Sequence, residues 1–408
     1  MIRLRSLSGL KTVKIQANDT SLSKRIKRHI TGREKDFFAA TSPGLESICL
    51  DELKAFSSTG KAFMKTEGGV QFTGRVPDCC SANLNLRTAN RILMRIGEFK
   101  ATNFLLLEKK LSDFPWELYL PANSLPEIKT ATKHSRLYHK DAISHIFTGS
   151  IMKRLAQNGT LAAQNSPITQ QVFVRAVNDR FTISLDSSGE LLYRRGIKTH
   201  SAMAPLRETI AAAVLKLCGY NGSEPLIDPM CGSGTFSLEG AMIAQNIPAG
   251  WFRDFAFMNW PCFSSKRWTY IKRKAESEIK KISVPLIFAS DINSKSCEAL
   301  VSCINKYDIF KIVEVLQKDF FDLSPLALKE KTGLVIINPP YGHRIGNKPE
   351  SMKLFHSICD KLKKDFSGWK VGLIVPDIIL LNSLPFILKA QSLYHGGLKI
   401  YLLYGRIR

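Results

Sequence analysis

The 408-residue chain is 44% hydrophobic and 23% charged, a globular composition with enough apolar material for two or three cores, which excludes disordered and fibrous proteins. Its 58 Lys and Arg exceed the 35 Asp and Glu and give a formal net charge of +23, which attracts polyanions over many ångströms. Nucleic acid is therefore the first expected partner, and an anionic membrane surface is the second.

No segment supplies the roughly 18 uninterrupted apolar residues that a membrane-spanning helix needs. The best candidate, residues 372–388, is broken by Pro376, Asp377, Asn382 and Pro385, so we do not expect an integral membrane protein. The nine cysteines contain no Cys-x-x-Cys pair and the chain has no His-x-x-x-His run. We therefore predict reduced, mostly buried thiols, no metal site and a cytoplasmic protein.

Residues 1–36 are predicted to form a basic, flexible arm, because ten Lys or Arg and only three acidic residues stand there among Ser, Thr and Asn. The segment lacks the continuous apolar core and the small-residue cleavage site of a secretory signal, so secretion is not expected. Three interpretations of the arm stay open: contact with phosphates, a solvated tail or wrongly assigned start, and an organellar transit peptide.

Residues 37–100 are predicted to form a small α+β domain in which strands and helices alternate. A first helix is expected to begin after Ser42-Pro43, and a strand is expected over residues 68–74. A second helix is predicted over residues 80–96, because the leucines and isoleucines of this segment outline one helical face.

Residues 101–187 are predicted to form a second small unit. It begins with a helix near residues 111–118 and continues through a basic strand-to-helix passage over residues 129–147. Two strands of alternating polarity follow, joined at Asn178-Asp179 as a β-hairpin.

Residues 188–408 are predicted to form a doubly wound α/β domain with a parallel sheet. Each expected strand is an apolar run of the kind that is buried on both faces of such a sheet. The strands are expected at residues 225–229, 286–291, 312–319, 333–340 and 369–376. An aromatic-rich insertion at residues 250–268 is interpreted as a lid or small core in preference to a set of direct ligand contacts.

A loop containing two glycines, between the first strand and its helix, is the first candidate site. Glycines let the backbone turn tightly and approach a ligand, and the helix beyond offers free N–H groups to a carboxylate or phosphate. The loop is not a Walker loop, since no Gly-Lys-Ser/Thr follows, and a purely structural turn is the alternative. The candidate residues are Asp228, Cys231, Gly232, Ser233, Gly234 and Thr235.

Acidic residues stand at the ends of the next two strands, Asp291 on the second and Asp319 on the third. Ligands of doubly wound sheets lie outside the carboxyl ends of the strands, so these acids and the loop before them are expected to converge on one crevice. An acid at the second position can accept hydrogen bonds from both hydroxyls of a ribose.

The sequence Asn338-Pro339-Pro340-Tyr341 follows the fourth strand and is the candidate catalytic loop. The two prolines fix the chain and remove two donors, so that local carbonyls and the Asn338 amide oxygen can accept from an exocyclic amine. The Tyr341 ring offers a flat surface on which a base can stack. The alternative is a turn that is merely stiffened by proline.

These motifs resemble those of the class I S-adenosylmethionine-dependent methyltransferases of the amino-group type. More narrowly, they resemble the THUMP-domain RNA methyltransferases, and in particular the methyltransferase half of the bacterial 23S ribosomal RNA guanine-N2 enzymes. FFAATSPGLE and LNLRTANRILMRIGEF look like the ferredoxin-like segment of that family, and SRLYHKDAISHIF looks like THUMP. DPMCGSGTFSLEGAMIA looks like the cofactor loop and NPPYGHRIG like the catalytic loop, so that the resemblance covers about residues 37–408.

The resemblance implies a ferredoxin-like domain at residues 37–100, a THUMP domain at residues 101–187 (or from about residue 78) and a catalytic domain at residues 188–408. It implies S-adenosyl-L-methionine as cofactor, with the six loop residues on its methionine side, Asp291 on the ribose and Asp319 on the adenine amine. The residues of the candidate catalytic loop would hold a target guanine, and Asn338 would also border the cofactor.

The resemblance further implies RNA contacts from the THUMP region, for which a merely solvated basic surface is the alternative. The expected contacts are Lys133, Arg136, His139, Lys140, Lys153 and Arg154. The base must be flipped or looped out, because the catalytic pocket has to enclose it. The sequence ends before the second methyltransferase half of fused relatives, so the N7-guanine activity of that half is not expected.

The predicted function is therefore methyl transfer from S-adenosylmethionine to the N2 of a guanine in 23S ribosomal RNA. The same chemistry on tRNA guanine N2, or on adenine N6, is the first alternative, because this loop selects exocyclic amines and not one base. A non-catalytic RNA-binding factor of ribosome assembly is the second alternative. The intact loop motifs disfavour it.

Overall fold

The structure is a computed structural model that describes residues 20–56, 62–158, 168–198, 206–325, 332–340 and 348–408. Two seven-stranded sheets organise these residues. The first sheet contains β1 (Lys35–Thr41), β2 (Phe63–Thr66), β3 (Gly69–Gly74), β4 (Ala89–Lys100), β5 (Ser124–Lys133), β6 (Ile168–Val177) and β7 (Arg180–Asp186). Its strand order is β2-β3-β1-β4-β7-β6-β5, and only the β5-β6 pair is parallel.

Strand β4 joins the two units that the sequence suggested as separate domains, since it pairs with β1 on one side and with β7 on the other. The prediction of a helix over residues 80–96 is wrong in its second half. The helix α3 (Val76–Asn85) ends before β4 begins. Ile92, Met94 and Ile96 are buried at every second position, which is the period of a strand, and the sheet supplies their neighbours.

The prediction of a flexible arm over residues 1–36 is wrong for residues 20–36, whereas residues 1–19 lie outside the described ranges. Helix α1 (Thr20–Ile26) continues into a π-helical turn, and Ile26 and Ile30 are buried in the core of the first sheet. The Arg25 guanidinium donates to the Glu117 carboxylate at 2.6 Å. These contacts fix the segment to the domain.

The other helices of this part are α2 (Glu46–Phe56), α4 (Phe104–Ser112) and α5 (Lys140–Asn158). The predicted positions of α2 and α5 are confirmed. The helix expected near residues 111–118 lies earlier, because the Asn103 side chain accepts from the Leu106 N–H and begins α4 there. The predicted hairpin is confirmed, and both of its turn residues have positive φ, 50° at Asn178 and 62° at Asp179.

The second sheet confirms the predicted doubly wound α/β fold. Its strands are β8 (Leu226–Asp228), β9 (Ile287–Asp291), β10 (Val313–Gln317), β11 (Leu334–Ile337), β12 (Lys370–Val375), β13 (Lys389–His395) and β14 (Leu398–Arg406). The order is β10-β9-β8-β11-β12-β14-β13, in which the first five strands are parallel and β14 and β13 are antiparallel. The helices are α6 (Glu208–Leu217), α7 (Thr235–Ala244), α8 (Ser265–Ser277), α9 (Ser294–Lys306) and α10 (Lys348–Asp365).

The aromatic insertion between α7 and α8 packs against the first sheet. Phe255, Phe257 and Trp260 are buried in the same core as the strands of that sheet. The Trp260 indole N–H donates to the Gln170 side-chain oxygen at 3.0 Å, which satisfies the buried indole. The insertion therefore adds to the core of the first sheet, which agrees with the prediction of a packing role in preference to direct ligand contacts, although it does not form a separate small core.

Two further predictions concern the state of the cysteines and the absence of a membrane-spanning helix. All nine cysteines are free, and eight of them are buried, which confirms the predicted thiols. Within the described ranges, no helix combines the length and the apolar character needed to cross a membrane.

Candidate active site

A cavity of about 530 Å³ lies at the carboxyl ends of the parallel strands, where a doubly wound sheet binds its ligands. It brings together side chains from four strand ends that are far apart in the sequence. The predicted residues that line it are Cys231, Gly232, Ser233, Thr235, Asp291, Asp319, Asn338 and Pro340. Asp228, Gly234 and Pro339 lie beside these residues but are not part of its wall, and Tyr341 lies outside the described residues.

The two glycines of the loop after β8 have different roles. Gly232 has φ +52°, its N–H donates to the Asp291 carboxylate at 2.9 Å, and a Cβ on it would meet only open space. Gly234 has φ +71°, and a Cβ there would lie 2.3 Å from a Leu300 methyl on α9. Gly232 thus exposes its backbone to the cavity, whereas Gly234 permits the loop to pack closely against Leu300 of α9.

Asp228 is buried beneath the loop and binds the first turn of α7. Its carboxylate is buried and accepts hydrogen bonds from the Ser237 hydroxyl at 2.6 Å and the Ser237 N–H at 3.2 Å, near the start of α7. Burial raises the pKa of Asp228 to about 7. The residue therefore positions the first turn of α7 and does not itself face the cavity.

The two strand-end acids are held by backbone donors. One Asp291 oxygen accepts from the Asn293 N–H at 2.9 Å and the other from Gly232, while an Asp319 oxygen accepts from the Phe321 N–H at 3.0 Å. A carboxylate has about four acceptor sites. Each acid can thus keep these bonds and also accept from a ligand hydroxyl or amine.

Lys198 is a residue of this site that the sequence did not reveal. Its ammonium donates to the Thr235 hydroxyl at 2.6 Å and to the Ser233 hydroxyl at 3.1 Å, and it lies 3.8 Å from the Glu208 carboxylate. Burial lowers the pKa of Lys198 and raises the pKa of Glu208. The lysine precedes the loop by 35 residues, and no local pattern connects the two.

The candidate catalytic loop leaves the sheet at the end of β11, a strand whose four residues are all buried. Asn338 and Pro340 are half-buried and line the cavity, and Pro339 between them is buried. Asn338 therefore lines the same cavity as the glycine loop, and the two segments follow neighbouring parallel strands, β11 and β8.

Five of the six predicted RNA contacts are exposed. They lie in α5 and in the segment before it: Lys133, Arg136, His139, Lys140 and Lys153. The exposed Tyr138 ring packs on His139, with 4.1 Å between the ring centroids. This surface combines cations with one exposed aromatic ring.

Arg154 differs from the other five residues. Its guanidinium donates twice to the Glu117 carboxylate, at 2.9 and 3.0 Å, and Arg25 donates to the same carboxylate. Glu117 is 5% exposed and the Arg154 side chain 28% exposed, so the Arg154 guanidinium is committed to a partly buried ion pair within the domain. Arg154 therefore stabilises the packing of α5, and we do not include it in the surface proposed for RNA.

Two comparisons address the family of the chain. A family model described as "RMKL-like, methyltransferase domain" matches residues 195–384, and one described as "RlmL ferredoxin-like domain" matches residues 36–93. YpsC of Bacillus subtilis (strain 168) is 30% identical over 313 residues, which are 76% of this chain and 80% of YpsC. The chain belongs to the RMKL-like methyltransferase family. The family predicted from the sequence motifs is thereby confirmed.

Other relatives of this RMKL-like chain carry more specific names. The ribosomal RNA large subunit methyltransferase K/L of Methylococcus capsulatus is 29% identical over 388 residues, which are 90% of this chain and 50% of that protein. The chain thus spans about half the length of the K/L relatives it matches.

Two solved structures cover nearly the whole fold. The structure of SMU.472 in complex with SAH has a TM-score of 0.81 and 26% identity, and covers 92% of this chain and 99% of that one. A structure from Listeria monocytogenes, named "a predicted N6-adenine-specific DNA methylase", has a TM-score of 0.81 and 25% identity, and covers 95% of this chain and 98% of that one.

Proposed function

We propose that this chain is an S-adenosylmethionine-dependent methyltransferase that modifies the N2 amine of a guanine in large-subunit ribosomal RNA. The observation that carries the proposal is the single cavity that joins the glycine loop, Asp291, Asp319 and Asn338 at four neighbouring strand ends. The names of the K/L relatives support a ribosomal RNA substrate, and the SAH complex of SMU.472 supports the cofactor.

The residues present fit S-adenosylmethionine, which supplies an electrophilic methyl group when bound. The cavity has the size of a small-molecule site, about 530 Å³. Gly232 leaves room beside the backbone for the methionine part, Asp291 offers a carboxylate to the ribose hydroxyls, and Asp319 offers one to the adenine amine.

The chain's own contribution to catalysis is orientation. The Asn338 amide oxygen would accept from the exocyclic amine of the base, and the rigid Pro339-Pro340 segment would hold that oxygen at the cavity rim. The amine held in this way would direct its lone pair at the methyl carbon, so that the nitrogen–carbon bond forms as the sulfur–carbon bond breaks, and the methylated amine would release its surplus proton to solvent. A strong general base is not required, and Tyr341 would stack on the base.

The substrate would be held in two ways. The exposed cations Lys133, Lys140 and Lys153 would contact RNA phosphates, which position the RNA without reading its sequence. The catalytic loop would read the flipped base itself, because N2 lies in the minor groove of a helix and is not reachable there.

Adenine N6 is a second candidate target. The name of the Listeria protein specifies that position. An amide oxygen beside two prolines recognises an exocyclic amine and does not by itself distinguish the base that carries it. The proposed cations favour a substrate with a phosphate backbone in either case.

The test is mass-spectrometric nucleoside analysis of separated large-subunit, small-subunit and transfer RNA and of DNA, from cells with and without the gene. We expect N2-methylguanosine to disappear from large-subunit RNA alone and to return with the wild-type gene but not with Asn338→Ala. Loss from tRNA, or loss of N6-methyladenine, would overturn the substrate and keep the chemistry. An unchanged set of methylated nucleosides would overturn the enzymatic proposal and favour an assembly factor.

A further inference from the structure

Helix α8, at the end of the aromatic insertion, carries a one-sided cationic surface that the predicted RNA contacts do not include. Four cations and one tyrosine of this helix are exposed: Lys266, Arg267, Tyr270, Arg273 and Lys274, with Tyr270 exposed to 71%. At 3.6 residues per turn, these five positions fall within an arc of about 120°, and the tyrosine stands near its centre. We call this set the α8 arc.

The orientation of the α8 arc is fixed by the opposite face of the helix. Trp268 and Ile271 pack against the core of the first sheet, and the Trp268 ring lies 5.3 Å from the Phe257 ring between centroids. The Ser264 side chain accepts from the Arg267 N–H and begins the helix. The apolar residues thus face inward, and the arc faces solvent.

Glu276 and Glu278 stand one helical turn from Arg273 and Lys274, but neither carboxylate forms an ion pair with the α8 arc. None of its four cations forms an ion pair with a described carboxylate, whereas Lys361 of α10 pairs with Asp365 at 2.6 Å. The four cations lie along about 12 Å of helix and on one side of it, so their positive potentials add in the solvent that the arc faces. Such a density of cations suits a polyanion.

We propose that the α8 arc is a second RNA-binding surface, in which the four cations contact phosphates and Tyr270 stacks on an unpaired base. The inference rests on the proposed function, since it assigns a further contact to the same substrate. Cations that flank an exposed aromatic ring are the arrangement that binds single-stranded segments. An anionic membrane is disfavoured, because interfacial helices insert an apolar face and that face of α8 is packed inward.

The test compares two charge-matched double variants. Arg273→Gln/Lys274→Gln removes two cations from the α8 arc, and Lys363→Gln/Lys364→Gln removes two exposed cations from the last turn of α10. Helix α10 leads back to the start of β12, so its last turn lies at the amino-terminal ends of the parallel strands. The cavity lies at the opposite, carboxyl ends. Circular dichroism spectra and melting temperatures establish that both variants are folded.

The measurement is filter binding of transcribed large-subunit RNA as a function of KCl concentration. We expect the α8 variant to lose roughly five- to twentyfold in affinity and its log-log salt slope to fall by about one to two, and the α10 variant to stay within about twofold. Tyr270→Ala is expected to lower affinity by about tenfold with an unchanged slope.

Equal effects of the two double variants would overturn the role of the α8 arc while the parent chain still binds RNA. A parent chain without salt-dependent RNA binding would instead overturn the RNA part of the proposed function. Cosedimentation with phosphatidylserine vesicles that is lost in the α8 variant, with unchanged RNA affinity, would overturn the RNA assignment of the arc in favour of a membrane.

Discussion

The Lys198 ammonium donates a 2.6 Å hydrogen bond to the hydroxyl of Thr235, the first residue of α7. The same ammonium donates to the Ser233 hydroxyl, so one cation, whose side chain is 13% exposed, holds two hydroxyls of the loop that lines the cavity. Without it, both side chains are free to adopt other rotamers, and the loop loses part of its preorganisation.

We expect Lys198→Met to weaken S-adenosylmethionine binding by about tenfold, which corresponds to about 1.4 kcal/mol. Isothermal titration calorimetry with the cofactor measures this effect. The control is Lys311→Met, because Lys311 forms an exposed pair with Asp308 in the same domain. An unchanged dissociation constant in a folded Lys198→Met protein would contradict the positioning role.

Alanine at the two loop glycines should affect stability and cofactor affinity in different proportions. Gly234→Ala places a methyl group 2.3 Å from Leu300 at positive φ, so we expect it to lower the free energy of unfolding by about 1–3 kcal/mol or more. Gly232→Ala has open space around the new methyl group, which would extend toward the cavity. Gly232→Ala should lower the free energy of unfolding by about 1 kcal/mol. It should lower the affinity for S-adenosylmethionine more than Gly234→Ala does. Urea unfolding measures the first effect and calorimetric titration with the cofactor measures the second.

Contiguous patterns made most of the second sheet predictable from the sequence. The four residues of β11 are all apolar and all buried, and the chemistry-bearing residues follow such strands directly. Residues 89–100 misled the prediction, because leucine and isoleucine positions in LNLRTANRILMRI also fit a helical face. The choice between the two periods depended on pairing with β1 and β7, which a local pattern does not contain.

Contacts between distant segments explain what the sequence could not show of the site. Lys198 meets Thr235 only because the fold brings the segment that contains the lysine against the loop. Arg25 and Arg154 both donate to the buried Glu117 carboxylate, so two residues of basic sequence segments form internal ion pairs, although their side chains are 40% and 28% exposed. A lysine or arginine in a basic sequence is equally compatible with RNA contact and with an internal ion pair, and only the fold decides.

The buried Asp228 predicts a specific pH dependence of stability. Its pKa is raised to about 7 in the folded protein by burial, so the folded state binds its proton more tightly than the unfolded state does. The stability from this group is fully present below about pH 4 and is lost as the pH rises through about 7.

Asp228→Asn removes that titration while its amide oxygen can still accept from the Ser237 N–H. We therefore measure the free energy of unfolding with urea at pH 5 and at pH 8. From pH 5 to pH 8 it should fall by roughly 1–3 kcal/mol less in Asp228→Asn than in the wild type. The exposed Asp51→Asn should leave the decline unchanged. Parallel pH profiles for Asp228→Asn and the wild type would contradict this account.

Two neighbouring arginines before α6 give a paired test of the contact between the two parts of the chain. The Arg195 guanidinium is 3% exposed and donates to the Glu239 carboxylate of α7 at 2.7 Å and to the Arg87 carbonyl of the first part at 2.7 Å. Arg194 forms an exposed pair with Glu190.

Arg195→Met leaves the Glu239 carboxylate buried, with the Arg87 guanidinium at 3.6 Å as its remaining cation. Removing one partner of a buried ion pair costs about 3–5 kcal/mol, so we expect a loss of that size in urea unfolding. Arg194→Met removes the same side chain one position earlier and should change the unfolding free energy by less than about 0.5 kcal/mol. Similar values for the two variants would show that the buried pair does not hold α7 against the first sheet.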